Sequence, residues 1–185
     1  MRRPIFLIGY MASGKTTLGR AVSRDTGIDF IDLDDYIVER EGLSISELFE
    51  RGEAVFRDAE RRALRSLLEP GRPAALIACG GGTPCFGDNM ELMNSSGVTV
   101  LLEADRDTLL NRLKLFRAQR PLLRDLDDRA LTDFVERSMA SRRQHYEKAS
   151  ARFDSSRLEN EAEIAESSRR FINTFLTDNQ QATLQ

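Results

Sequence analysis

The sequence has 185 residues, 41% hydrophobic and 31% charged, which suits one globular domain with a sizeable core. A net charge of −3 offers no general attraction to nucleic acid or an anionic membrane, and no stretch approaches the roughly 18 apolar residues of a membrane span. Two cysteines, Cys79 and Cys85, make no disulfide framework in a chain of this length, so a reducing cytoplasm is the expected compartment.

The first residues, MRRPIFLIGYM, couple two arginines to a short apolar run. That run flows into a glycine-rich loop with no small-residue cleavage site, so it reads as a buried strand over 4–9 rather than a secretory leader. A helix over 15–26 follows, then a second strand over 30–35, FIDLDD, ending in carboxylates. The stretch SISELFERGEAVFRDAERRALRSLLE is mostly helical, with Val55, Ala59, Ala63 and Leu67 on one face. AALIACGGGTP is a strand running into three glycines, and Pro84 stops regular continuation. GVTVLLEAD is a strand without alternation, as when both faces are covered. Helices over 106–114, 127–150 and 161–176 complete the pattern, with a short strand ARFD between the last two and a basic, proline-broken connection over 116–128. Strands alternating with helices predict one α/β domain built on a mainly parallel sheet.

The spacing Gly9-x-x-x-x-Gly14-Lys15-Thr16 lies between an apolar strand and a helix, the context a phosphate-binding loop requires. Backbone N–H groups of Ala12, Ser13, Gly14, Lys15, Thr16 and Thr17 would face phosphate oxygens at the helix N-terminus. Lys15 adds a compact charge, in a chain where only Lys15, Lys114 and Lys148 of the 27 basic residues are lysine, and the Thr16 hydroxyl can ligate Mg²⁺. No Asn-Lys-x-Asp base-reading motif is present, which favours an adenine nucleotide.

Asp32 and Asp34 are placed by period-two geometry on one side of a strand end, where open α/β sheets gather ligands. One suits a metal's water shell and the other a hydroxyl nucleophile. Glu60, one helical turn after Arg57, can orient its guanidinium for a carboxylate or phosphate, although a surface ion pair would carry the same spacing. A tight turn explains one glycine of Gly80-Gly81-Gly82 well and three poorly. Arg120 stands in the proline-broken segment with the composition of a lid, and either Arg142 or Arg143 could complete an anion clamp.

Taken in order, GYMASGKTT, DLD, FRDAE, GGG, RPLL and RRQHY resemble the shikimate kinases, members of the nucleoside-monophosphate-kinase-like group of P-loop proteins. The likeness runs from Ile5 to about Asp154. It implies a three-layer P-loop kinase fold with a five-stranded parallel sheet, a substrate-binding helical region about 33–61 and a lid about 112–124. These would lie in a single domain over 1–177, followed by a polar tail at 178–185.

The resemblance implies phosphorylation of the shikimate 3-hydroxyl by ATP with Mg²⁺, in aromatic amino acid biosynthesis, by a monomer. The alternative is another small-molecule kinase of this fold, such as a gluconate-type enzyme. Carried over by position, Lys15 would contact phosphates, Thr16 and Asp32 would hold the metal, and Asp34 would bind a shikimate hydroxyl. Arg57 and Arg142 would clamp the shikimate carboxylate, Gly81 would lie near the ring, and Arg120 would close onto the nucleotide. The Arg-x-x-x-Tyr spacing to Tyr146 selects Arg142 over Arg143. Two departures from the family's habit are Ala12, usually glycine, and Cys79, usually glycine or a small hydroxyl residue.

Overall fold

The computed structural model describes residues 3–115, 117 and 123–176. Five parallel strands, β1 (Ile5–Ile8), β2 (Phe30–Asp32), β3 (Leu76–Ala78), β4 (Val98–Glu103) and β5 (Ala151–Asp154), form one sheet in the order β2-β3-β1-β4-β5. The central strand β1 is buried at every residue, and its side chains alternate between two cores. Ile5 and Leu7 join Leu18, Val22 and Phe171 on the face covered by α1 (Lys15–Thr26) and α8 (Glu161–Phe175). Phe6 and Ile8 join Leu33, Leu64, Leu113 and Val135 on the other. This three-layer arrangement is the α/β P-loop kinase fold, and it explains why β1 and β4 read as unbroken apolar runs.

The second face is covered by α2 (Leu33–Glu41), α3 (Ile45–Glu50), α4 (Glu53–Leu67), α5 (Asn89–Ser96), α6 (Arg106–Leu115) and α7 (Asp128–Tyr146). The stretch 44–69 is mostly helical as expected, and it divides into two helices, α3 and α4, at Gly52, whose φ of 126° is closed to a side-chain-bearing residue. One expectation within it needs correction. Val55 lies on the exposed side of α4, 41% accessible, because the apolar stripe runs through Phe56, Ala59, Ala63, Leu64 and Leu67 instead. The short α5 has weak amphipathic patterning and was not expected from the sequence. Residues 116 and 118–122 of the expected lid, Arg120 among them, and the tail at 178–185 lie outside the described residues.

Candidate active site

Many of the candidate residues gather at the carboxyl ends of β1, β2 and β3, around a cavity of about 440 Å³. Met11, Ala12, Gly14, Lys15, Thr16 and Thr17 wall it on one side, Asp32 and Asp34 on another, and Gly80 and Gly81 on a third. Gly14 caps α1 with φ 90°, a left-handed turn that swings the loop around the helix N-terminus. The Lys15 ammonium is held over the loop, Nζ donating to the carbonyls of Gly9 and Tyr10 at 2.9 Å each. Ser13 is turned inward at 1% exposure, and its N–H donates to the Tyr10 carbonyl at 3.1 Å. Ala12 has φ 62°, the one positive φ outside glycine among the described residues. The loop therefore keeps a left-handed residue there even though its side chain is not glycine's.

Thr16 Oγ1 donates to Asp32 Oδ2 at 2.8 Å, so the hydroxyl and the carboxylate are adjacent. Hard oxygen donors of this kind suit Mg²⁺, which commonly takes one or two protein oxygens and fills its octahedron with water and substrate phosphates. No cluster of three or more acidic, histidine or cysteine ligands occurs among the described residues.

Asp34 departs from expectation. The strand β2 ends at Asp32, which caps α2 by accepting from the Asp34 N–H at 3.1 Å, and Asp34 is the second residue of that helix. Helix geometry, not strand alternation, brings the two carboxylates to the same cavity. Burial, reinforced by the negative charges of Asp32 and Glu60, raises the Asp34 carboxyl to about 6.

Beyond the glycine turn lies a second, arginine-lined half. Arg57 Nη1 donates to Glu60 Oε2 at 3.0 Å, and the wholly buried Glu60 also accepts from Thr83 Oγ1 at 2.6 Å. The Arg57–Glu60 pair of the sequence is thus no solvated surface pair: the arginine side chain is 18% exposed and lies 3.6 Å beneath the ring of Phe86. Arg142, reaching in from α7, lies over the Tyr10 ring at 5.6 Å. Arg143 points outward and pairs with Glu147 at 2.8 Å, so of the two it is Arg142 that faces the glycines.

None of the three glycines has a positive φ. Space is what they provide. A β-carbon on Gly80 would meet Asp34 Oδ1 at 3.3 Å, and one on Gly81 would meet Arg142 Nη1 at 3.2 Å. Cys79, just before them, is a small core residue packed 3.6 Å from the Met93 sulfur.

Sequence reasoning missed several contributors. Arg112, 7% exposed, donates to Glu159 Oε1 at 2.7 Å and to the carbonyls of Ala12, Ser155 and Ser156, tying the phosphate loop to the segment after β5. With Leu115, Leu158 and Glu159 it bounds the end of the cavity beyond the loop. Its only sequence signal is a charge on the apolar side of α6. Glu53 and Phe86 hold Arg57 and Thr83 holds Glu60; Glu53 carries the local i, i+4 spacing on α4, whereas nothing local in the sequence marks Thr83 or Phe86.

Comparison with known proteins agrees with this geometry. The shikimate kinase family model matches residues 11–173. A shikimate kinase of Phocaeicola vulgatus is 45% identical over 161 residues, covering 86% of this chain and 91% of that protein. The crystal structure of shikimate kinase from Bacteroides thetaiotaomicron is 43% identical with a TM-score of 0.88, covering 93% of this chain and 97% of that one. The structure of shikimate kinase from Acinetobacter baumannii in complex with shikimate is 28% identical with a TM-score of 0.80, covering 96% and 95%.

Proposed function

The chain belongs to the shikimate kinase family, and on that premise we propose how its residues transfer the γ-phosphate of ATP to the 3-hydroxyl of shikimate. The observation that carries the reading is the single glycine turn with the phosphate cavity and Asp34 on one side and two arginines on the other.

The phosphates lie over the N-terminus of α1, against the backbone N–H groups of 12–17, with Lys15 moving from its loop carbonyls to their oxygens. The base extends toward Arg112, Leu115 and Leu158. Thr16 and Asp32 would hold Mg²⁺, which would supply charge screening to the phosphates. Arg57 and Arg142 take the acceptor carboxylate, and Gly81 passes close to its ring. Arg120 closes over the nucleotide from the lid in the same reading.

The acceptor hydroxyl donates to Asp34. As its oxygen bonds to the γ-phosphorus, the bond to the bridging oxygen of ADP breaks and the hydroxyl proton passes to Asp34 or to the phosphoryl group. The loose transition state asks mainly for alignment and charge stabilisation, and a carboxyl near 6 is ionised at neutral pH yet more basic than an ordinary aspartate. The reading also takes a single chain as the working unit, without nucleic acid or membrane partners. It takes the cytoplasm as compartment, in keeping with two free thiols, Cys79 and Cys85.

A coupled ADP-release assay with shikimate, gluconate, nucleoside monophosphates and no acceptor tests the proposal. ADP release that depends on shikimate supports it; release indifferent to shikimate overturns it.

A further inference from the structure

Arg57 has five N–H donors, and carboxylates use three of them. Glu53 Oε1 accepts from Nε at 3.3 Å and from Nη2 at 3.2 Å, while Glu60 Oε2 accepts from Nη1 at 3.0 Å. Nη1 and Nη2 each keep one N–H beyond these bonds. The Phe86 ring covers one face of the guanidinium. A side-on approach along the Nε edge is therefore blocked by Glu53, and Phe86 closes a face.

A β-carbon built on Gly82 would stand 2.9 Å from Nη2, 3.2 Å from Nη1 and 3.4 Å from Cζ. It would be nearer to both nitrogens than to the carbon between them, so it would occupy the Nη1/Nη2 end of the fork. The backbone of Gly82, at φ −93° and ψ −17°, is one that alanine adopts without strain. Conformation does not explain this glycine. We propose that Gly82 is a specificity-determining residue, whose missing β-carbon keeps the Nη1/Nη2 end of Arg57 open for end-on, bidentate docking of the acceptor carboxylate. This rests on the reading of Arg57 as the carboxylate receptor.

A methyl group at position 82 collides with the tip of a side chain and not with backbone, so the fold accommodates it by displacing the guanidinium. Displacement breaks the bonds to Glu53 and Glu60; retention blocks the docking end. Either way two-point recognition is lost.

The test measures kinetics and melting temperature for wild type, Gly82→Ala, Arg57→Ala and the double variant, with shikimate and its methyl ester as acceptors. Losing a charge-assisted pair of hydrogen bonds predicts that Gly82→Ala lowers kcat/KM for shikimate by about tenfold or more, with the KM for ATP unchanged. Its preference for shikimate over the ester falls toward that of Arg57→Ala, and in the Arg57→Ala background the same substitution costs nothing further. Equal losses for both acceptors, equal losses in both backgrounds, or a Gly82→Ala protein that does not fold would each overturn the inference. If Arg57→Ala itself keeps the wild-type preference for shikimate over the ester, the assignment of Arg57 fails instead.

Discussion

Tyr146 donates its hydroxyl to the carbonyl oxygen of Gly81 at 2.6 Å, fastening the last turn of α7 to the turn after β3. Burial pushes the phenol up, so it remains a donor across the working pH range. The same bond sets Arg142, one turn earlier on α7, against the glycines. Tyr146→Phe leaves the carbonyl without this partner and should cost about 1 kcal/mol, a fall of roughly 2–4 °C in melting temperature for a chain of this size. Shikimate KM should rise several-fold with ATP KM unchanged, which steady-state kinetics would register.

Glu60 is a wholly buried carboxylate whose neutralising partner is Arg57. Glu60→Ala removes the acceptor of both Arg57 Nη1 and Thr83 Oγ1 and should destabilise the protein by about 3 kcal/mol. Glu60→Gln keeps the shape and can still accept from Thr83, so it should lose less stability while acceptor affinity falls. Denaturation midpoints and shikimate KM for the two variants separate the structural share from the positioning share.

Asp34 predicts a pH dependence with a definite sign. Its carboxyl is raised from 3.8 to about 6 by burial and by Asp32 and Glu60, so the folded state holds the proton more tightly than the unfolded chain. Its contribution to stability is therefore full below about pH 4 and is lost as pH rises through about 6. Asp34→Asn removes the cost of ionisation. In metal- and nucleotide-free protein the variant should gain stability over wild type between pH 4 and 7, by up to about 3 kcal/mol, while turnover collapses. Urea denaturation of both proteins across that range gives the difference curve; a flat difference contradicts the prediction.

Ala12 occupies a left-handed backbone at φ 62°, which costs an alanine about 1 kcal/mol relative to glycine. Ala12→Gly relieves that cost but restores freedom to the unfolded chain worth about as much, so the melting temperature should move by less than about 3 °C. Ala12→Val, β-branched at the same φ, should lose about 1–2 kcal/mol and raise the KM for ATP, because the strain falls on the phosphate loop. Thermal melts and ATP kinetics of the two variants check this.

Much of the molecule was legible because its signals are local. The phosphate loop carries its own glycines, lysine and flanking strand and helix, and β1, β3 and β4 announce themselves as apolar runs. Asp34 lines the cavity for a different reason from the strand alternation read in the sequence: DLD reads equally as a strand end or as a helix cap, and only the Asp32 bond to the Asp34 N–H decides. Arg57 and Glu60 were paired from helical spacing, yet their burial depends on Phe86 and Thr83, which come from beyond β3. Arg112 was missed because its partners, Ala12, Ser155, Ser156 and Glu159, lie about 40 to 100 residues away. Three glycines in a row pointed to room for a ligand, but which side chain stands in front of each glycine is set by distant elements and emerged only from the structure.

The central claim is that one side of the glycine turn serves the nucleotide and the other a carboxylate. Calorimetric binding of shikimate and of ATP to Arg57→Ala and Arg142→Ala tests it most directly. The account predicts that each variant loses about tenfold or more in shikimate affinity while ATP affinity stays within about threefold. Equal losses for the two ligands, or shikimate affinity left intact, would contradict it.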